Sequence, residues 1–193
     1  MNRAELKAAA KQQIQGKIGI LFVINLIVGV ISGAISAIPV VGSVVSAFVV
    51  APAFTLALTC IYLNLVNGQH PEIGDAFSSF NNFWPAFKVT FLTGLFTMLW
   101  SLLFYIPGII KAISYSMAMY IQAENPGKPA LECIEESKRM TQGHKMELFV
   151  LGLSFIGWGL LCVITLGIAY IWVGPYMQAT FTNAYLKLKY NAE

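Results

Sequence analysis

Residues 18–38 read IGILFVINLIVGVISGAISAI and decide the fold, because no position in this stretch carries a charged side chain. A helix needs about 20 apolar residues to cross the hydrocarbon core of a bilayer. The next stretch, 39–70, also contains no Asp, Glu, Lys or Arg. Continuous apolar runs of this length, without period-two alternation, favour membrane-spanning helices over a β-barrel.

The composition of the whole chain agrees with lipid as its main solvent. Of 193 residues, 57% are hydrophobic and only 11% are charged, whereas a soluble domain carries roughly 25% charged residues. The net charge of +3 resides in segments that flank the apolar runs, so we expect no nucleic-acid partner. The composition therefore predicts an all-α membrane protein in which residues 1–193 form a single integral-membrane domain.

The apolar runs predict six transmembrane helices, arranged as three hairpins. Short turns near Pro39, Pro107 and Gly167 join the two helices of each hairpin. If the N-terminus is cytoplasmic, every Lys and Arg except Lys111 falls on the cytoplasmic side, as the positive-inside rule requires. Both termini are then cytoplasmic. The predicted spans cover about residues 18–36, 40–66, 86–106, 109–123, 148–164 and 168–186.

Amphipathic interfacial helices are predicted on the cytoplasmic side at 1–17, 71–84 and 129–142. In the first, Leu6, Ala10 and Ile14 recur every four residues beside a basic stripe. Such a helix either lies on anionic lipid or is a solvated start that only sets the topology. Cationic side chains within or just after the first and third segments are predicted to contact the membrane surface; they are Arg3, Lys7, Lys11, Lys138, Arg139 and Lys145.

An internal repeat accompanies this pattern. Three tyrosines each follow an equivalent position by ten residues: Tyr62 follows Pro52, Tyr120 follows Ile110, and Tyr185 follows Pro175. This spacing suggests three copies of an interfacial helix followed by two spans. Parallel repeats of this kind imply a pseudo-threefold axis along the membrane normal. Chance similarity between hydrophobic helices is the alternative.

The C-terminal half carries the most specific motifs: Ser114-Tyr115-Ser116-Met117-Ala118-Met119-Tyr120, Glu124-Asn125-Pro126, Ala130-Leu131-Glu132-Cys133-Ile134, Ser137-Lys138-Arg139-Met140, Gly143-His144-Lys145, Leu166-Gly167-Ile168 and Pro175-Tyr176-Met177-Gln178-Ala179. Together they resemble the bacterial integral-membrane family called domain of unknown function 975. The resemblance covers essentially the whole chain. It implies a multi-pass protein of the bacterial inner (cell) membrane, and it brings no catalytic residues.

Two sets of polar side chains within the predicted spans are candidates for a ligand site or polar lining. Lys111, near the outer end of the fourth span, has Ser114 and Tyr115 as polar neighbours. Its ammonium group either reaches the headgroups or contacts a buried partner or ligand. In the sixth span, Gln178 and Thr182 are four residues apart and share a helix face. Such side chains ordinarily form hydrogen bonds between helices. The alternative is that they line a substrate path.

No catalytic motif is present, so we expect no enzyme, no cofactor and no metal site. The chain contains no zinc-protease histidine pair, phosphate-binding glycine loop or serine elbow. Two functions of different classes follow. One is a non-catalytic membrane component that binds lipid or a second membrane protein. The other is a small transporter or permease-like subunit with a path lined by the fourth and sixth spans.

Overall fold

The computed structural model describes residues 3–38, 45–78, 82–103 and 105–192, and in these ranges the regular structure is helical. A π-helical segment, Ser46–Val50, directly precedes the helix that begins at Ala51. The helices are α1 Arg3–Ile14, α2 Ile18–Ser36, α3 Ala51–Val66, α4 Asp75–Ser78, α5 Phe83–Leu103, α6 Tyr105–Tyr115, α7 Ala118–Glu124, α8 Ala130–Thr141, α9 Lys145–Leu153, α10 Ile156–Ile164 and α11 Tyr170–Ala192. The all-α class is thus confirmed. The predicted turn near Pro39 lies outside the described residues, as does part of the predicted 71–84 helix.

Four helices of the described chain are long and apolar enough to cross a membrane: Ile18–Ser36, Phe48–Val66, Phe83–Leu102 and Lys145–Ile164. Each overlaps one of the six predicted spans. The predicted fourth span is occupied by α6 and α7, which are separated by a break at Ser116 and Met117. The predicted sixth span is occupied by α11, which is long enough but carries many polar side chains.

The centre of the bundle is the helix Phe48–Val66, which contains α3. In its most apolar stretch of 18 residues, 61% of the residues are buried, against 11% or 17% in the other three long apolar helices. Around it, the helices of the predicted interfacial segments each pack against a helix from a predicted span. The N-terminal α1 lies along α11, the short α4 packs against α3, and α8 packs against α7. These three contacts repeat one arrangement, in which an interfacial segment is held by the second helix of a predicted hairpin.

The N-terminal helix α1 is part of the packed core. Its apolar stripe, Leu6, Ala10 and Ile14, is almost fully buried. Two hydrogen bonds of 3.2 and 2.6 Å join the side-chain amides of Gln13 and Asn183 on α11. The stripe that the sequence offers to lipid therefore contacts protein instead.

The tyrosines of the predicted repeat are buried or half-buried. The rings of Tyr120 and Tyr185 stack with their centroids 5.1 Å apart. The hydroxyl of Tyr185 donates to the Glu124 carboxylate at 2.7 Å, and the Lys189 ammonium donates to the same oxygen at 2.7 Å. These contacts join the last turns of α7 and α11.

Away from this core the helices expose large apolar side chains. On α2, Leu26 and Val30 are 49% and 62% exposed, and on α10 no residue is buried. Similar exposure continues along α5 and α6 as far as Leu102 and Ile106. Contiguous apolar surface of this extent is not left open to water in monomeric soluble proteins, so the surface is compatible with a lipid environment.

The tight approach of α5 and α6 depends on Gly108. A Cβ atom added to Gly108 would lie 2.2 Å from the Ser101 Oγ and 2.8 Å from the Ser101 Cα. The second distance involves backbone, so a side-chain rotation alone cannot relieve it. This contact sets the geometry of the α5–α6 hairpin, and with it the position of Lys111 one turn further along α6.

We expect G108A to destabilise the protein by about 1–3 kcal/mol, the typical cost of overpacking. Gly94 in α5 has no atom within 4 Å of an added Cβ, so G94A is the matched control and should be neutral or stabilising. Thermal unfolding in detergent measures both. Equal melting temperatures for G108A and wild type would mean that α5 and α6 are further apart than described.

Candidate functional site

The break between α6 and α7 is closed by side chains of α8. The backbone N–H of Met117 donates to the Ser137 Oγ at 3.2 Å. The Ser137 hydroxyl in turn donates to the backbone carbonyl of Ser114 at 2.7 Å, and the Thr141 hydroxyl lies 3.5 Å from the same carbonyl. Both hydroxyl-bearing residues are fully buried. A polar backbone segment inside the bundle is thereby satisfied without water.

The same face of α8 is fixed at its other end by Gln122 of α7. The Gln122 amide nitrogen donates to the backbone carbonyls of Asn125 and Pro126, at 3.2 and 3.0 Å. Its oxygen lies 3.4 Å from the Cys133 Sγ, which donates to it. Burial raises the pKa of the Cys133 thiol, so this thiol stays protonated at neutral pH. The buried face of α8 is therefore held along its length by hydrogen bonds.

The opposite face of α8 borders a recess of about 660 Å³ whose other wall is α6. The described residues that line it include five cationic and three acidic side chains. The lining residues are Lys111, Ser114, Lys128, Glu132, Glu135, Glu136, Lys138, Arg139, Gln142 and Lys145. We call this the charged recess.

Lys111 contributes the α6 side of the charged recess. Its Nζ lies 4.6 Å from the centroid of the Trp100 ring on α5. A cation over an aromatic face is stabilised by about 0.5–1 kcal/mol where the site is solvated. Lys111 therefore has a protein partner that orients it, and it remains half-buried at the wall of the recess.

The charges of α8 are arranged by their position along the helix. Glu132, Glu135 and Glu136 precede Lys138 and Arg139 along the helix, which is the order that the helix dipole favours. Lys128 forms an ion pair with Glu136. The hydrogen bond in this pair raises the pKa of Lys128, so the lysine stays charged at neutral pH.

Five of the residues predicted from the sequence meet in this recess. Lys111 and Ser114 come from the predicted polar lining, and three cations come from the predicted membrane-surface set; those are Lys138, Arg139 and Lys145. Tyr115 is buried beneath Lys138, whose Nζ lies 5.6 Å from the ring centroid. It lines a separate groove of about 550 Å³ with threonines of α3 and α5.

The predicted lining residues of α11 are not among those that border the charged recess. The Thr182 hydroxyl donates to the backbone carbonyl of Gln178 at 2.9 Å. Thr182 is fully buried. Its polar group is therefore satisfied inside the bundle, and the structure separates α11 from the polar wall of α6.

The basic stripe of α1 lies elsewhere. Arg3 and Lys11 are exposed. The Lys7 Nζ lies 4.5 Å from the centroid of the Phe155 ring and 3.5 Å from the carbonyl oxygen of Ser154, at the junction of α9 and α10. Burial lowers the pKa of Lys7, and the charge of Arg3 adds to this effect. Lys7 thus contacts protein, while Arg3 and Lys11 face outward.

Sequence reasoning missed the acidic side of the recess and Lys128. Glu132 and Glu135 were interpretable only as charges that suit the start of a helix. A further signal is their spacing, because positions 132, 135, 136 and 139 follow the i, i+3, i+4, i+7 pattern of one face of α8. Nothing in that spacing says which neighbouring helix the face meets.

A known protein family matches nearly the whole chain. The family described as Protein of unknown function (DUF975) matches residues 1–114 and 103–192. The chain belongs to this family. The match confirms the resemblance drawn from the motifs and covers both the broken helix and α8. No curated protein and no solved structure matches the chain.

Replacement of Ser137 by Ala should destabilise the protein, because it removes the partner of the buried Met117 N–H. An unsatisfied buried donor costs about 1–3 kcal/mol. Ser116 is exposed and its hydroxyl donates to the Ile113 carbonyl of its own helix, so S116A is the control and should change stability by less than about 0.5 kcal/mol. Thermal unfolding in detergent compares the two. If S137A unfolds with wild type, α8 is not what closes the break.

Proposed function

We propose that this protein is a non-catalytic, multi-pass component of the bacterial cell membrane that binds lipid headgroups in the charged recess. The observation that carries the proposal is a recess with five cations in a protein otherwise poor in charge. Every phospholipid headgroup carries a phosphate, which is an anion. Lysine and arginine bind phosphate through charge-assisted hydrogen bonds.

Two exposed apolar side chains that are next in sequence to cations of the recess support a lipid as the occupant. Ile110, next to Lys111, is 45% exposed, and Met146, next to Lys145, is 70% exposed. Side chains of this kind suit the acyl chains of a lipid whose headgroup occupies the recess. A soluble anion would gain nothing from contact with these apolar side chains.

The proposed arrangement in the membrane has six spans in three hairpins, with both termini and α8 on the cytoplasmic side. The α6–α7 pair is the fourth span and α11 is the sixth. A broken span is tolerated where protein satisfies the freed backbone, as Ser137 does for Met117. The recurring contacts of α1, α4 and α8 with α11, α3 and α7 support three equivalent units. In this arrangement the recess extends from Lys145, at the cytoplasmic end of the fifth span, into the depth of the fourth.

The phosphate of a lipid would lie against the basic part of the recess, near Lys138 and Arg139. Each side chain is exposed, and neither has a carboxylate within ion-pair distance among the described residues. Their charges are consequently available to a ligand. The other partner class is a second membrane protein, whose phosphate or carboxylate groups would bind to the same cations.

A transporter is the second candidate function, favoured by the broken helix, because discontinuous spans line the substrate sites of many transporters. In such a protein, K111A should abolish flux. The test measures release of trapped phosphate from proteoliposomes, with K88A as the control because Lys88 is exposed and outside the recess. Unchanged flux in K111A at normal protein content argues against transport.

Charge removal at the basic part of the recess should weaken lipid retention. We expect K138Q/R139Q to retain roughly tenfold less phospholipid, since a hydrogen bond to a charged group contributes about 1.5–3 kcal/mol. The measurement is native mass spectrometry of protein released gently from its own membrane. K11Q/K187Q removes the same charge from α1 and α11 and should bind like wild type. Equal losses in both variants would indicate non-specific attraction and contradict the proposal.

A further inference from the structure

The charged recess has two ends of opposite sign. Glu132 and Glu135 border it on the first turns of α8, and Lys138 and Arg139 border it on the last turns. From Glu132 to Arg139 the helix axis advances roughly 10 Å. Lys111, Ser114 and Lys145 lie at the basic end, because Ser114 is joined to the last turns of α8 through Ser137 and Thr141.

The carboxylates at the acidic end do not pair with the cations at the basic end. Glu135 stands three and four residues before Lys138 and Arg139, a spacing that suits ion pairs on a helix. Among the described residues, however, neither Glu135 nor Glu132 has a cation within 4 Å. Glu132 interacts electrostatically with Lys128. The ammonium group of Lys128, however, forms its ion pair with Glu136. Both signs of charge are therefore presented to whatever enters the recess.

We infer that the charged recess binds a zwitterionic headgroup in which a phosphate is followed by a primary amine, as in phosphatidylethanolamine. This inference rests on the proposed function and names its ligand. The phosphate lies against Lys138 and Arg139, and the ammonium group lies against Glu132 and Glu135. A primary ammonium donates three hydrogen bonds, which carboxylates accept. A choline headgroup has no N–H to donate, and a glycerol headgroup carries no positive charge.

The ligand is a membrane lipid and not the free aminoalkyl phosphate. The apolar side chains of Ile110 and Met146 are exposed, and they are next in sequence to Lys111 and Lys145, which line the recess. In the proposed complex the acyl chains of the lipid pack against these two side chains. The glycerol backbone thus points toward α6 and α9, and the amine points along α8 toward its first turn.

The experiment compares three lipids with identical acyl chains: phosphatidylethanolamine, phosphatidylcholine and phosphatidylglycerol. The full chain in detergent receives an equimolar mixture, and native mass spectrometry measures which lipid stays bound. We expect roughly tenfold preference for phosphatidylethanolamine over each of the others, the factor that one charge-assisted hydrogen bond supplies. In a separate arm, glycerophosphoethanolamine competes; displacement of the lipid only at a large molar excess is expected.

A double carboxamide variant assigns the preference to the acidic end. E132Q/E135Q should bind phosphatidylethanolamine and phosphatidylglycerol equally while keeping wild-type affinity for phosphatidylglycerol. The matched control is E5Q/E72Q, which removes the same charge from two exposed positions outside the recess and should keep the preference. The wild-type lipid comparison needs no variant, so the inference is testable even if E132Q/E135Q does not fold.

The outcomes separate the two proposals. Equal retention of all three lipids by wild type, or an unchanged preference in E132Q/E135Q, overturns the amine inference and leaves lipid binding in place. Displacement by glycerophosphoethanolamine at an equimolar amount overturns the lipid as the source of the headgroup. If wild type retains no lipid and K138Q/R139Q behaves identically, the proposed function itself is wrong.

Discussion

The whole arrangement depends on one constraint: a backbone N–H that leaves a helix inside an apolar medium must find a protein partner, because no water is there to accept its hydrogen. Met117 is the residue at which this happens, and the Ser137 hydroxyl is its partner. That contact fixes α8 beside the broken helix. It also determines which face of α8 is buried, and so which face carries its charges over α6. The charged recess is a geometric consequence of closing the break.

The bounds of α8 were predictable from local sequence, whereas the break and the long-range packing were not. The turn predicted near Pro107 was wrong in its position, because Pro107 and Gly108 lie inside α6. A helix over Ala130–Thr141 follows from proline before it and Gly143 after it, and Gly143 has the positive φ of 84° that ends the helix. The 109–123 segment, in contrast, contains neither proline nor glycine, so nothing local marks Ser116 and Met117 as a break. The packing of α1 on α11 joins residues at opposite ends of the chain, which no local pattern encodes.

For the candidate site, the sequence identified the right residue types and divided them into the wrong groups. Lys111 and the cations of α8 were assigned to opposite ends of the protein, yet they line one recess. Gln178 and Thr182 do share a helix face, but the Thr182 hydroxyl bonds to the Gln178 carbonyl. A spacing of four residues serves a hydroxyl that satisfies its own helix as readily as one that faces a cavity, so spacing alone could not separate the two uses.

The predicted repeat relates Lys111 to one position in each of the other two units. With the three tyrosines in register, the positions equivalent to Lys111 are Ala53 and Tyr176. Ala53 is fully buried in the core, and the Tyr176 ring packs edge-on against Phe155 and Trp158. Two of the three units thus fill this position with packed apolar or aromatic atoms, and only the middle unit places an ammonium group there. Where one unit departs from the pattern of the others at some cost in packing, function is the expected reason. The polar departure from this pattern, between α6 and α8, is where we propose that a ligand binds.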